Sequence, residues 1–324
     1  MKTINRLLAY LLILCLYPSI TGCAGNKLST QERGTHIKVI VKKRDASFWT
    51  VVKMGALAAG KEFAVDVDFD GPTDEKDIDG QIRMVDKAID DRVDALVLAA
   101  SDYTRLVDVA EQAVRENIPV IIIDSDINSD KMYSFIGTDN VDAGKLLGET
   151  LVDKVGDKCN IAVMSFVKGA ASSDQRDEGL FESLGKHASI KLLSAEYCNS
   201  DENIAEQLTE ELVEKYPELD AIVCTNAYGT TGTARAIEKL GKAGKVKVIG
   251  LDSTPEEISF MEKDVVQSLV VQNPFSMGYL GIKYALDAIN GKNLSKRINT
   301  ELKVIDKNNM YEPENEKLLF PFTN

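Results

Sequence analysis

Two acidic residues in this sequence come directly after runs rich in β-branched residues. Asp124 follows IPVIII at residues 118–123, and Asp252 follows VKVIGL at residues 246–251. A carboxylate accepts hydrogen bonds, so a pair of carboxylates can bind a ligand that carries donor groups. The same groups also serve as acids and bases in enzymes, or as caps at the starts of helices.

The apolar runs indicate where these carboxylates lie. An uninterrupted apolar run favours a strand that is covered on both faces, as in a parallel sheet between layers of helices. Open α/β sheets bind ligands beyond the carboxyl ends of their strands. We therefore expect Asp124 and Asp252 at the mouth of a crevice, on two sheets that face each other.

Strands and helices alternate through the chain in two series, a pattern typical of doubly wound parallel sheets with right-handed crossovers. The predicted strands are residues 37–41, 65–69, 95–98, 118–123, 134–136, 160–165, 190–195, 221–224, 246–251, 266–271 and 302–305. The predicted helices are residues 48–63, 74–89, 103–117, 140–154, 173–187, 204–216, 228–240, 258–263 and 274–290. Ser47 and Asp139 are expected to cap helices, and Ser253, Thr254 and Pro255 to form a cap and first turn. The predicted fold class is α/β, with two doubly wound, Rossmann-like parallel-sheet lobes.

Length and composition limit the class of protein. A chain of 324 residues suits two domains of about 140 residues each. Its 44% hydrophobic and 27% charged residues are ordinary for a soluble globular protein. The net charge of −13 disfavours a nucleic-acid partner, because a protein that follows phosphates needs a basic surface.

The cysteines and histidines give little sign of a metal site. The expected folded part contains Cys159, Cys198 and Cys224, an odd number with no CxxC pair, so neither a disulfide framework nor a zinc site is indicated. Two histidines in the whole chain make a His-based metal site or catalytic triad improbable, although a carboxylate site is not excluded. We expect no metal and no cofactor.

The first residues have the features of an export signal. Lys2 and Arg6 precede an apolar run at residues 7–17, which is short for a membrane span but suits a secretory signal. ITGC at residues 20–23 resembles a bacterial lipobox, so we expect residues 1–22 to be a lipoprotein signal peptide and Cys23 to be lipidated. Residues 23–36 would then tether the folded part to the cell membrane. The alternative is an ordinary signal peptide with a leftover thiol.

Several segments together resemble one family of binding proteins. These segments are FWTVVKMGA, IPVIIIDSDI, FIGTDNVDAGKLLGE, DQRDEGL, IVCTN, VIGLDSTPEE and VVQNPFSMGYLG. In this order and at these separations they resemble the ribose/galactose-type periplasmic sugar-binding proteins, the type I solute-binding components of ABC importers. The resemblance covers nearly all of residues 37–305.

The resemblance implies two lobes that close on a ligand about a hinge of three chain crossings, near Thr138, Asn273 and Thr300. Residues 37–137 plus 274–299 would form the N-terminal lobe, and residues 138–273 plus 300–324 the C-terminal lobe. The implied function is extracytoplasmic capture of a sugar or related polyol in the interlobe cleft and its delivery to an ABC transporter permease. We expect a monomer that is not an enzyme.

The resemblance also carries ligand contacts onto particular residues. They are Phe48, Trp49, Asp124, Asp174, Asn226, Asp252 and Gln272. Each has another interpretation: Phe48 and Trp49 suit a helix staple and the core, Asp124 and Asp252 suit helix caps, Asp174 suits the first turn of a helix, and Gln272 suits the hinge. Lys42 is expected either to pair with Asp124 or Asp174 in the site or to be a solvated lysine at a strand end.

The sequence departs from the ribose-binding pattern. Asp124 is followed by Ser125 where those proteins have Asp-Arg, and Asp174 takes the place of a second ligand-binding arginine. The site is therefore expected to be more acidic and less aromatic than a ribose site. Another sugar, a polyol or a basic sugar is therefore considered as a ligand equally with ribose.

Two other functions fit the same fold. The protein could present its ligand to a membrane sensor kinase or chemoreceptor, because such a partner would also read the closed lobes from outside. An α/β enzyme acting on a sugar is the weaker alternative, because no GxGxxG follows the first strand and no GxSxG, P-loop or HExxH motif is present.

Overall fold

The computed structural model describes residues 34–321. The predicted signal peptide, Cys23 and nearly all of the predicted tether lie outside the described residues, as do residues 322–324. The tether was predicted to run to residue 36, but His36 is already the first residue of a strand. In the described part, no helix is both long enough and apolar enough to span a membrane.

The first sheet has six parallel strands in the order β11-β5-β4-β3-β1-β2. They are β1 (His36–Ile40), β2 (Asp66–Asp70), β3 (Ala95–Leu98), β4 (Val120–Ile123), β5 (Ser134–Gly137) and β11 (Arg297–Asn299). The central strands β3 and β4 are buried along their whole length, as the apolar runs predict.

Helices cover both faces of this sheet. Helices α1 (Ser47–Phe63) and α9 (Pro274–Ile289) pack on one face, and α2 (Ile78–Asp90) and α3 (Val107–Arg115) pack on the other. The amphipathic pattern of α2 produces this arrangement, since its buried residues Val85 and Ala88 join the core beneath β3 and β4.

The second sheet repeats the architecture, in the order β12-β10-β9-β8-β6-β7. Its strands are β6 (Asn160–Ser165), β7 (Lys191–Tyr197), β8 (Ala221–Cys224), β9 (Lys247–Leu251), β10 (Ser268–Val271) and β12 (Lys303–Ile305). Strand β12 pairs antiparallel with β10, and the other pairs are parallel. Helices α4 (Asn140–Val155) and α5 (Ala171–Leu184) cover one face, and α6 (Glu202–Lys215), α7 (Ala227–Lys239) and α8 (Pro255–Glu262) cover the other.

The chain passes between the two sheets three times. It leaves the first sheet after β5, returns to it after β10, and leaves it again between β11 and β12. The predicted α/β class, with two parallel-sheet lobes and a hinge of three crossings, is confirmed.

Several element boundaries differ from the predictions because of local capping. Ser47 is the first residue of α1 and Ala46 is its N-cap, without a side-chain bond, so the predicted cap was wrong. Helix α2 begins at Ile78 instead of residue 74, because Asp77 caps it by accepting from the N–H of Gly80. The predicted caps Asp139 and Thr254 are confirmed. Strand β11 and the C-terminal helix α10 (Pro313–Leu319) were not predicted.

Candidate functional site

A cavity lies between the carboxyl ends of the two sheets. The side chains around it come from both lobes. They belong to Lys42, Ala46, Phe48, Trp49, Glu75, Asp124, Phe166, Ser172, Arg176, Asn226, Ala227, Tyr228, Asp252 and Gln272.

Lys42 forms ion pairs with two carboxylates of the N-terminal lobe. Its Nζ lies 3.1 Å from Oδ2 of Asp124 and 3.6 Å from Oε1 of Glu75, and it donates to Ser172 Oγ of the other lobe at 3.0 Å. All three charged side chains are buried. Of the two roles considered for Lys42, the structure places it in the buried pair with Asp124, and the role of Glu75 was not predicted.

The two acids at the strand ends have unusual backbones. Asp124 has a φ of 61° and Asp252 a φ of 88°, a region that non-glycine residues seldom adopt. Each follows a buried strand directly, β4 or β9, so the turn directs both carboxylates toward the cavity. Such strain recurs at ligand sites, where the surrounding structure holds the residue in place.

Asp252 is fully enclosed and well bonded. Its Oδ1 accepts from Gln272 Nε2 at 2.6 Å, and its Oδ2 accepts from the backbone N–H of Ala227 at 3.1 Å. Burial raises the pKa of Asp252 above its ordinary value, although Arg176 and these two donors oppose the shift. Asp252 does not cap the helix that follows it, since Thr254 has that position.

Gln272 joins the cleft to the hinge. Its Oε1 accepts from Thr138 Oγ1 at 2.6 Å, and its Nε2 donates to Asp252. Thr138 and Gln272 lie in two different chain crossings and both are buried. The two interpretations of Gln272, cleft residue and hinge residue, therefore both describe its position.

Asn226 occupies the N-cap of α7. Its Oδ1 accepts from the N–H of Gly229 at 2.9 Å, and its Nδ2 is directed at Ser200 Oγ at 3.5 Å. This capping fixes the side chain at the wall of the cavity, which it lines together with Ala227.

Arg176, which the sequence reasoning missed, supplies the cation of the C-terminal lobe. Its Nε donates to Asn140 Oδ1 and its NH1 to the carbonyl of Thr225, both at 2.9 Å. Glycines bring its helix this close to α4: a Cβ on Gly144 would lie 2.1 Å from the carbonyl oxygen of Arg176. The buried guanidinium also stacks over the ring of Phe166, 5.4 Å from its centroid.

Asp174 lies outside this constellation. Its side chain is exposed and accepts from the N–H of Gly169 at 3.2 Å. Ser172 and Arg176 are four residues apart on α5, so they share the helix face that lines the cavity, whereas Asp174 lies between them on the far face. The (i, i+4) relation of these two polar residues identifies Arg176 only once Ser172 is known to face the cavity.

Aromatic side chains form the apolar part of the wall. The rings of Phe48 and Trp49 meet edge to face with centroids 5.0 Å apart, and Trp49 belongs to the N-terminal core as well as to the cavity. Tyr228 adds a ring from the other lobe. Its hydroxyl is buried without a hydrogen-bond partner among the described residues, and burial raises its pKa.

The two lobes touch across the cleft. The hydroxyls of Ser125 and Ser172 lie 3.4 Å apart, the N–H of Tyr103 donates to the carbonyl of Gly169 at 3.4 Å, and Lys43 Nζ lies 4.6 Å from the ring centre of Tyr228. These contacts define a closed arrangement. In the described range 34–321, no group of three or more potential metal ligands comes together.

The comparisons with known proteins agree with this geometry. The model of the periplasmic binding protein domain matches residues 37–293. A D-allose-binding periplasmic protein of Escherichia coli is 27% identical over 83% of this chain and 89% of its own length. Two solved transporter solute-binding proteins are also similar. One from Agrobacterium vitis, with bound D-fucose, is 34% identical, has a TM-score of 0.85 and covers 88% of this chain and 99% of its own. One from Agrobacterium radiobacter, in complex with D-arabinose, is 28% identical and has a TM-score of 0.87. It covers 89% of this chain and 99% of its own.

The chain belongs to the periplasmic binding protein domain family. Within it, the chain is a type I periplasmic sugar-binding protein of the ABC transporter class, as the resemblance of its sequence predicted. This is a family of extracytoplasmic binding proteins and not an enzyme family.

Proposed function

We propose that this protein captures a monosaccharide or related polyol between its lobes and delivers it to an ABC importer. The observation that carries the proposal is a cavity between the sheet ends to which both lobes contribute buried charged and polar side chains. A sugar bound there would contact both lobes only when they are closed, so its binding energy favours closure.

The proposed ligand contacts combine predicted and newly found residues. They are Lys42, Phe48, Trp49, Asp124, Asn226, Asp252 and Gln272 from the sequence, with Glu75, Arg176 and Tyr228 added from the geometry. Asp174 is left out because its side chain is exposed and bonded to the loop before α5.

The ligand that suits these contacts is uncharged. Asp124 already pairs with Lys42, and both oxygens of Asp252 already accept hydrogen bonds. An ammonium group on the sugar would be repelled by Lys42 and Arg176, which line the same cavity, whereas hydroxyl groups can use the remaining lone pairs without adding a charge. We therefore favour a neutral sugar over the basic sugar that the acidic sequence motifs allowed.

A fluorescence titration tests the proposal directly, because Trp49 is the only tryptophan of the chain and lines the cavity. The panel is D-ribose, D-arabinose, D-allose, D-fucose, sorbitol and D-glucosamine. We expect saturable quenching or enhancement with at least one neutral sugar, and calorimetry gives the stoichiometry. Failure of every sugar and polyol to bind would overturn the proposal.

A matched pair of variants tests the site. Asp252→Asn removes a buried carboxylate of the cavity but keeps its shape, so we expect about tenfold weaker sugar binding or more. Asp174→Asn makes the same chemical change at an exposed carboxylate and should leave the affinity unchanged. Equal effects of the two variants would contradict the proposed site.

Membrane attachment is part of the proposal. The family implies an extracytoplasmic location. We propose that residues 1–22 are removed as a lipoprotein signal peptide, that Cys23 is lipidated, and that residues 23–35 are a tether leading to β1. The acyl chains on Cys23 would hold the protein at the cell membrane beside its permease.

The lobe boundaries are also proposed. Residues 37–137 plus 274–299 form the N-terminal lobe, and residues 138–273 plus 300–324 form the C-terminal lobe. The chain crossings after β5, β10 and β11 support these limits. We propose that the protein works as a monomer, because both walls of the cavity come from one chain.

A further inference from the structure

A second space adjoins the sugar cavity. We call it the side chamber. Phe48, Ala227, Asp252 and Gln272 line both spaces, so the two meet at these four residues. A ligand that extended past these residues would contact both spaces.

The two spaces differ in chemistry. The sugar cavity is lined by three carboxylates and two cations, from Glu75, Asp124, Asp252, Lys42 and Arg176. In the described part of the chain, the side chamber has no charged lining residue except the shared Asp252. Its other walls are mainly apolar, and its remaining polar side chains are the shared amide of Gln272 and the hydroxyls of Ser47, Ser253 and Thr254.

The apolar walls come from four helices. Val51 lies in α1, Pro255 begins α8, Pro274 begins α9, and Leu318 and Leu319 lie in the C-terminal helix α10. Phe48 presents its half-buried ring at the boundary, held edge to face against Trp49. Walls of this kind favour an apolar group, because burying apolar surface is stabilising and no buried polar group is left unpaired.

We propose that the ligand is a glycoside whose sugar ring occupies the cavity and whose apolar aglycone occupies the side chamber beneath α10. This inference rests on the proposed function, because it needs the sugar in the first cavity. It explains why a site with charged groups at one end has an uncharged apolar space at the other.

The test compares glycosides of one sugar. The probes are the free sugar that binds most tightly in the fluorescence panel and its methyl and phenyl glycosides in both anomeric forms. We expect one phenyl anomer to bind about tenfold more tightly than the matching methyl glycoside, because the phenyl ring buries apolar surface in the side chamber. A phenyl group that abolishes binding in both anomers, while the free sugar binds, would overturn the inference and leave the proposed function standing.

A variant of the side chamber gives the second measurement. Leu318→Trp narrows the side chamber but touches nothing in the sugar cavity, so we expect it to remove the phenyl preference and keep the affinity for the free sugar. Leu240→Trp is the control, since Leu240 is 40% exposed and lines neither space. A phenyl preference that survives Leu318→Trp would contradict the proposed location of the aglycone.

A shortened chain separates the aglycone from another occupant. If a chain ending at Pro321 prefers the phenyl glycoside and the full chain does not, residues 322–324 compete for the side chamber, and the inference about the natural ligand is overturned. If both chains show the preference, the inference is supported. If neither the free sugar nor any glycoside binds, the proposed function fails, and this inference fails with it.

Discussion

At the scale of single residues, Lys42 holds two acidic side chains in the cleft. Lys42, Glu75 and Asp124 have side chains only 3–7% exposed. Removing one partner of a buried ion pair leaves an uncompensated charge, which typically costs about 3–5 kcal/mol. Lys42 is therefore expected to matter for folding as well as for the ligand.

We predict that Lys42→Met lowers the free energy of unfolding by about 3 kcal/mol and abolishes sugar binding. The measurement is denaturant unfolding combined with calorimetric titration. Lys38→Met is the control, in the strand β1 that ends just before Lys42: Lys38 pairs with Asp68 at the surface, and such a pair contributes less than about 1 kcal/mol. Equal losses of stability in the two variants would show that Lys42 has no special role.

The same scale shows what the sequence could predict of the site. Asp124 and Asp252 were predictable because a change from apolar to acidic residues marks a strand end, where parallel sheets bind ligands. Arg176 was not, because the side of α5 on which a residue lies depends on the phase of the helix. The segment DQRDEGL contains both Asp174 and Arg176, and only the packing of α5 on α4 decides which of them faces the cleft.

At the scale of elements, helix α8 contains a buried carboxyl group that caps the helix and is destabilised by burial in its charged form. Glu257 completes the capping box with Thr254, accepting from the N–H of Thr254 at 2.5 Å, yet it is fully buried. Burial, together with the nearby charge of Asp252, raises the pKa of Glu257 well above the ordinary 4.5. The capping hydrogen bond therefore places the carboxyl group where its ionised form is destabilised.

The stability of the protein should therefore depend on pH through Glu257. The folded state binds the proton more tightly than the unfolded state, so the free energy of unfolding falls as pH rises from 4.5 toward the folded pKa. We predict that Glu257→Gln, which can still form the capping box, is more stable than the wild type at neutral pH. The difference should shrink below pH 4.5. Denaturant unfolding between pH 4 and about 8 measures it.

The neighbouring residue provides a control in which the pH dependence of stability has the opposite sign. Glu256 accepts two hydrogen bonds from Arg235, at 2.6 Å each, and these hold its pKa below the ordinary value. Its stabilising effect is present above pH 4.5 and is lost as pH falls, so Glu256→Gln should destabilise the protein at neutral pH. A pH-independent effect of Glu257→Gln would refute the assignment.

Elements were easier to predict than their ends. Strands β3, β6 and β8 were predicted to the residue, and in β3 and β8 an aspartate, Asp94 or Asp220, directly precedes the apolar run. Helix α3 begins at Val107 instead of residue 103, because Asp102 accepts from the N–H groups of Thr104 and Arg105 and forms a separate turn. Strand β11 is short and half exposed, so its sequence lacks the apolar run of a buried strand.

At the scale of the whole molecule, one line of hydrogen bonds connects the hinge to the cleft. Thr138 donates to Gln272, and Gln272 donates to Asp252. Thr138 and Gln272 belong to separate crossings, so their bond is sensitive to how the crossings lie relative to each other. Closure of the lobes and binding at Asp252 should therefore be coupled through Gln272.

We predict that Thr138→Val weakens sugar binding about fivefold, because Gln272 loses the donor that orients its amide toward Asp252 and a hydrogen bond contributes about 1 kcal/mol. Calorimetry measures the affinity, and small-angle scattering with and without sugar measures closure. Thr150→Val is the matched control: its buried hydroxyl bonds the carbonyl of Leu146 within α4, so its loss should change stability but not affinity. If both variants bind sugar like the wild type while Thr138→Val is merely less stable, the bond between the crossings serves folding alone and the hinge does not act through Gln272.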